Sequence, residues 1–174
     1  NRIYIFPGNH DYYDSVLSDD SSLAEQAWSI GAHFVQMGEL LHGHTRILCA
    51  TLWTDFGLLG DAEKAMRIAH RAMRDYERIR KDALPSLGAE SNSQPYQHLI
   101  QPVDTKLIHH EHRAWLETQL LKDHSCGQPD RTVIVTHHGP HPATAGPVDG
   151  LTPAFHSDMT DLIERFAPDA WFFG

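Results

Sequence analysis

Residues 1–14 read NRIYIFPGNHDYYD: a short apolar run over residues 2–6 that stops at Pro7-Gly8 and sets Asn9, His10 and Asp11 on one turn. Alternating β-branched and aromatic residues make the run a strand, and Pro-Gly is a strong stop. In open α/β sheets ligands sit at the carboxyl ends of strands, so three polar side chains at such an end mark a candidate site. Gly8 lets the backbone turn sharply, which allows Asn9 and His10 to point into one cleft. The plainer reading of the same residues is a turn in which Asn and Asp cap their own backbone.

A second strand ends in the same way. RTVIVTHHGPHP, residues 131–142, is a buried strand that delivers Thr136, His137 and His138 and then, past Gly139-Pro140, His141. An Asn side chain offers a hard carbonyl oxygen, and an imidazole nitrogen suits Zn, Mn, Fe or Ni. Asn with His, completed by carboxylates, is a donor set for a divalent transition metal. The terminal AWFFG, residues 170–174, is one more apolar strand that breaks off at a glycine.

Between these ends strands and helices alternate, which predicts a layered α/β fold in one domain of 174 residues. A helix is expected over 22–33, where Ser22 and Glu25 have capping-box spacing. Strands are expected at 34–36 and 46–53, helices at 60–81, 104–122 and 155–166, and a Ser-, Pro-, Gln- and Asn-rich loop at 84–102. At about 100° per residue, the helix over 60–81 gathers Ala65, Ala69, Met73, Tyr76 and Ile79 on one face. Arg67, Arg71, Arg74 and Arg78 fall opposite, with Asp75 and Glu77 among them. An arginine stripe could dock an anion, but i,i+4 pairs such as Glu63–Arg67 make it a solvated face.

Composition narrows the function classes. A net charge of -9 argues against a protein that coats nucleic acid, leaving nucleic acid only as a phosphodiester substrate. No apolar run approaches the roughly 18 to 20 residues needed to cross a bilayer, so no membrane partner is expected. Two cysteines, Cys49 and Cys126, form no CxxC and read as reduced thiols of a cytoplasmic protein. The chain opens at Asn1, without an initiator Met and almost inside a strand, and reads as an internal piece of a longer chain. With 14 histidines, position must decide which of them carry chemistry. His42-Gly43-His44-Thr45-Arg46 reads as a hairpin turn. His109, His110 and His112 read as solvent-facing, although the i,i+3 pair could chelate. Asp55 reads as a strand cap beside a core Trp53.

PGNHD after a strand, ATLWTDF at 50–56 and VIVTHHGPHP at 133–142 together resemble the calcineurin-like metallophosphoesterase superfamily. Its bacterial members with a TLWTDF-type segment are similar to the chain over nearly its whole length. The resemblance implies an α/β/β/α sandwich with two divalent metal ions (Mn, Fe, Zn or Ni) at the strand ends. It implies hydrolysis of a phosphate monoester or diester of a small phosphorylated substrate, by hydroxide bridging the two metals. Asn9 becomes a metal ligand through its side-chain oxygen, His137 a ligand to the same metal, and His10 the general acid that protonates the leaving oxygen. Asp11 takes the family's acidic position in support of catalysis. His138 lies next to the ligand and, with His141, is assigned to substrate binding.

The family pattern runs D-x-H, G-D, G-N-H-[DE], a strand ending in His, then G-H-x-H. The first two segments would lie before Asn1, and Gly174 matches the glycine of the last. The sandwich is therefore expected to be incomplete at both ends, and two ligands cannot hold two ions tightly. These 174 residues alone are expected to be inactive within an active parent. Two competing readings stand beside this one: a catalytically degenerate domain used for binding or structure, and a zinc hydrolase acting at carbon. Asn among the ligands weighs against the latter. No residue selects the substrate or the oligomeric state.

Overall fold

Strand β1 (Ile3–Ile5) pairs in parallel with β2 (Ala32–Phe34), Ile3 standing opposite Ala32 and Ile5 opposite Phe34. The computed structural model describes residues 2–17, 19–81, 98–122 and 129–174. Helix α1 (Asp20–Ser29) makes the crossover between the two strands. Its cap is Asp19, whose side chain accepts the Ser22 N–H at 3.1 Å, and not Ser22. The helix stops before Gly31 (φ 78°), so the following strand begins at Ala32 and not at residue 34.

Strands β3 (Gly38–His42) and β4 (Thr45–Ala50) form a hairpin whose two-residue turn is Gly43-His44, with Gly43 at φ 58°. The hairpin turn expected there is present, and β3 is a strand the sequence pattern did not reveal. Helix α2 (Ala62–Ala72) is capped by Asp61, which accepts the Lys64 N–H at 2.9 Å. The single helix expected over 60–81 is broken. Met73 is extended (φ -103°, ψ 133°), a one-turn helix α3 (Asp75–Arg78) follows, and β5 (Arg80–Lys81) pairs with β6 (His98–Leu99). No Gly or Pro causes the break. The backbone of residues 78–80 is instead bonded to the segment after β1: Asp14 N–H donates to Arg78 O, Arg80 N–H to Ser15 O, and Leu17 N–H to Arg80 O, at 2.8 to 2.9 Å.

Helix α4 (Pro102–Leu120) starts with Pro at its first turn, and Asp104 reaches back to the Gln101 N–H at 2.7 Å. Most of the loop expected at 84–102, and Cys126, lie outside the described residues; the rest of that loop is β6, the segment to Gln101 and the start of α4. Strand β7 (Arg131–Thr136) joins β4 in parallel, and β8 (Ala170–Phe173) joins β7 in parallel, giving a mixed sheet in the order β3-β4-β7-β8. Helix α5 (Thr160–Phe166) is shorter than the expected 155–166, because the backbone of residues 155–159 is bonded to the segment after β7: Gly139 N–H donates to Phe155 O (2.8 Å), Ser157 N–H to Gly139 O (3.0 Å) and Met159 N–H to Pro140 O (2.9 Å).

Two apolar cores hold these layers. Tyr12, Trp53, Phe56, Tyr76 and Ile79 form one with α2; Leu48, Leu52, Leu116, Ile134 and Leu162 form the other between the four-stranded sheet, α4 and α5. Each such side chain contributes about 1.5–3 kcal/mol on burial. The fold is a layered α/β sandwich. No helix among the described residues is long and apolar enough to cross a membrane.

Candidate functional site

Three strand ends are tied together by Thr51, which follows β4. Its hydroxyl donates to the Pro7 carbonyl at the end of β1 (2.7 Å), and its carbonyl accepts the His138 N–H beyond β7 (3.2 Å). Gln36 locks Thr51 from the side: Gln36 Nε2 donates to Thr51 Oγ1 (2.8 Å) and Thr51 N–H donates to Gln36 Oε1 (3.0 Å). The end of β8 joins the same edge, where the Gly174 N–H donates to His137 O (3.3 Å) and Trp171 Nε1–H to Thr136 Oγ1 (2.9 Å).

On this frame Asn9 and His137, 128 residues apart, meet: His137 Nε2–H donates to Asn9 Oδ1 at 2.9 Å. Asn9 is 6% exposed, and its Nδ2–H donates on the other side to Asp75 Oδ1 at 2.6 Å. Burial pushes the His137 imidazole below its ordinary value, with Asp11 and Asp75 opposing and His10 adding to the shift. A neutral ring is the form that binds a metal.

The other expected site residues are distributed differently. His10 is exposed, its ring 4.6 Å from that of Tyr13. Asp11 Oδ2 accepts the Gly8 N–H at 2.7 Å, the turn-capping contact that such a turn makes on its own. His138 is 4% exposed and lies behind His137. Its Nδ1–H donates to Thr51 O (3.2 Å), its ring packs 5.3 Å from that of Trp53, and burial, with His137 adding, pushes it down to about 3. His141 is half-buried, and its Nδ1 accepts the Ala143 N–H at 3.0 Å. Asp55 Oδ1 accepts the Gly57 N–H (2.9 Å) beside buried Trp53, as expected of a cap.

His109 and His112, expected in solvent, are buried at 2% and 3% exposure, whereas His110 is exposed. His112 Nδ1 accepts the Leu52 N–H (3.1 Å), and His109 Nδ1–H points at Leu52 O (3.2 Å) and Trp53 O (3.3 Å). They pin the turn after β4, where Leu52, Trp53 and Phe56 have φ of 72°, 52° and 61°, values that bulky residues rarely adopt. Burial pushes His112 down to about 4. A signal for this was present, since His109 and His112 share a helical stripe with Thr105, Leu116 and Leu120.

Periodicity puts Asp75 among the solvated arginines, yet it is 2% exposed and bonded to Asn9. No local signal distinguishes it from Glu77. Of the stripe, Arg67 pairs with Glu63 at 3.8 Å, while Arg78 turns to Asp14 and lies 4.5 Å over the Tyr13 ring.

Among the described residues no group of three or more His, Cys, Asp or Glu side chains is placed to hold a metal ion. The Asn9–His137 pair has the spacing for one once Nε2 gives up the proton it now donates to Asn9 Oδ1. Neighbouring ligands of an octahedral ion bound at about 2.0–2.1 Å stand about 3.0 Å apart, and these two donor atoms are 2.9 Å apart.

No family model matches the chain, and no curated protein matches it. Its fold is that of a layered α/β protein. It is similar to the crystal structure of phosphopantetheinyl hydrolase (PptH) from Mycobacterium tuberculosis, with a TM-score of 0.61 at 15% sequence identity. The match covers 99% of this chain and 62% of that one, so the chain spans less than two thirds of that protein's length.

Proposed function

We propose that the protein is a metal-dependent phosphoester hydrolase of the calcineurin-like kind, with its centre at the ends of β1 and β7. The observation that carries this reading is the 2.9 Å approach of Asn9 Oδ1 to His137 Nε2, two neutral donors brought together from distant strand ends. The name of the similar structure, a phosphopantetheinyl hydrolase, agrees with hydrolysis of a phosphorylated group.

Asn9 and His137 would hold a divalent ion, with further ligands completing a two-ion centre. Such ions neutralise phosphoryl oxygens and make water acidic enough to attack near neutral pH. His10, exposed at the rim beside Asn9, is the residue able to pass a proton to the departing alkoxide. His138, pinned to Thr51 and Trp53, holds the strand end in place behind His137, and Asp11 keeps the turn closed. Divalent metals, a small phosphorylated substrate and a cytoplasmic setting belong to this reading.

The test is metal content and hydrolysis of a mono-aryl and a bis-aryl phosphate with added Mn²⁺, measured on the protein. Uptake of two ions together with turnover supports the reading. A metal-free, inert protein would replace it with the binding-module reading.

A further inference from the structure

We propose that Asp75 sets which way the Asn9 amide faces, and so makes the oxygen, not the nitrogen, the atom presented to His137 and to a bound cation. This rests on the metal-dependent reading of the Asn9–His137 site.

The two ends of a carboxamide have nearly the same shape, so sterics alone do not choose between them. His137 does not choose either, because a neutral imidazole nitrogen donates or accepts according to its tautomer. A carboxylate only accepts. With Asp75 Oδ1 2.6 Å from the amide, Nδ2 must be the atom that faces it. The flipped amide would set two acceptors against each other and turn a donor toward the cation site, where it cannot coordinate.

Asp75 is itself held. Its Oδ2 accepts from the Tyr13 hydroxyl at 3.3 Å, and Arg78 lies over the Tyr13 ring and pairs with Asp14. Burial, with the Asp75 carboxylate adding, pushes the Tyr13 phenol up to about 12, so it keeps the proton it donates. The break after α2 that turns Asp75 inward is secured by the backbone bonds between residues 14–17 and 78–80. Asp75 is thus a positioning residue that acts through Asn9. Partners of this kind typically change metal affinity by about 10–100-fold when altered.

The experiment uses the protein with Mn²⁺ as the probe, and ¹⁵N-edited NMR of the Asn9 side-chain amide in the metal-free state. Asp75→Asn keeps the shape but offers a donor or an acceptor, which frees Asn9 to flip. Mn²⁺ is expected to bind this variant about tenfold more weakly, and Tyr13→Phe to change affinity less than Asp75→Asn does. The wild-type Asn9 Nδ2 protons are expected to exchange slowly with solvent, and those of Asp75→Asn rapidly. Equal Mn²⁺ affinity in wild type and Asp75→Asn overturns the proposal and leaves the hydrolase reading intact. A wild type that takes up no Mn²⁺ overturns the hydrolase reading and the proposal with it. If Asp75→Asn does not fold, the wild-type spectrum decides, because rapidly exchanging Asn9 amide protons overturn the proposal by themselves.

Discussion

No side chain can stand at position 8 while His137 stays where it is: a Cβ on Gly8 would lie 2.9 Å from the His137 ring. The backbone there is ordinary (φ -93°), so the requirement is close approach and not strain. Gly8→Ala is expected to push the His137 ring away from Asn9 and to cost about 1–3 kcal/mol by overpacking. Thermal unfolding and a Mn²⁺ titration measure both effects. A variant with wild-type values for each would mean that the ring is not confined by the turn.

His10 and His137 should separate cleanly. His10→Ala is expected to lower turnover by about 10²–10⁴-fold while leaving metal content nearly unchanged, since the ring projects into solvent and not between the donors. His137→Ala is expected to lower metal occupancy itself. Metal analysis beside kcat on the same preparations distinguishes the two, and parallel loss of both quantities in His10→Ala would remove its assignment as the acid.

His112→Ala should destabilise the fold without touching the cleft. It strands the buried Leu52 N–H, at about 1–3 kcal/mol, and opens space beside Leu116. The neighbouring exposed His110→Ala is expected to stay within about 0.5 kcal/mol of wild type. Urea midpoints of the two variants provide the comparison, and similar values would contradict the burial of His112.

Acid should unfold the protein early. In the unfolded chain His112 and His138 take up protons near their ordinary value of 6.5, whereas in the folded chain they resist protonation until about 4 and about 3. Between those limits the unfolded state binds more protons, so stability is fully present above 6.5 and is lost as pH falls. The slope is about 1.4 kcal/mol per pH unit for each histidine. Urea unfolding at pH 7 and pH 5 is expected to show the loss, and His112→Gln should roughly halve it, His138 supplying the rest. A pH-independent midpoint over this range would show that neither ring is held neutral.

Much of this architecture was readable one segment at a time. The strand before Pro7-Gly8, the hairpin at Gly43-His44, the cap role of Asp55 and the alternation of helices with strands all follow from local rules. The break at Met73 did not, because the apolar spacing of Met73, Tyr76 and Ile79 continues a helical pattern across it. The burial of His109 and His112 was legible only as a stripe shared with Leu116 and Leu120, which their polarity masked.

By itself the sequence determined that two strands end in Asn9-His10-Asp11 and Thr136-His137-His138, because strand propensity and turn chemistry act within a few residues. Only the tertiary structure decided that Asn9 and His137 face each other at 2.9 Å, and that Asp75 leaves an arginine-lined face to hold the Asn9 amide. Those contacts span 128 and 66 residues. They depend on the order of strands in the sheet and on which buried polar groups find partners, and no periodicity along a single segment contains either.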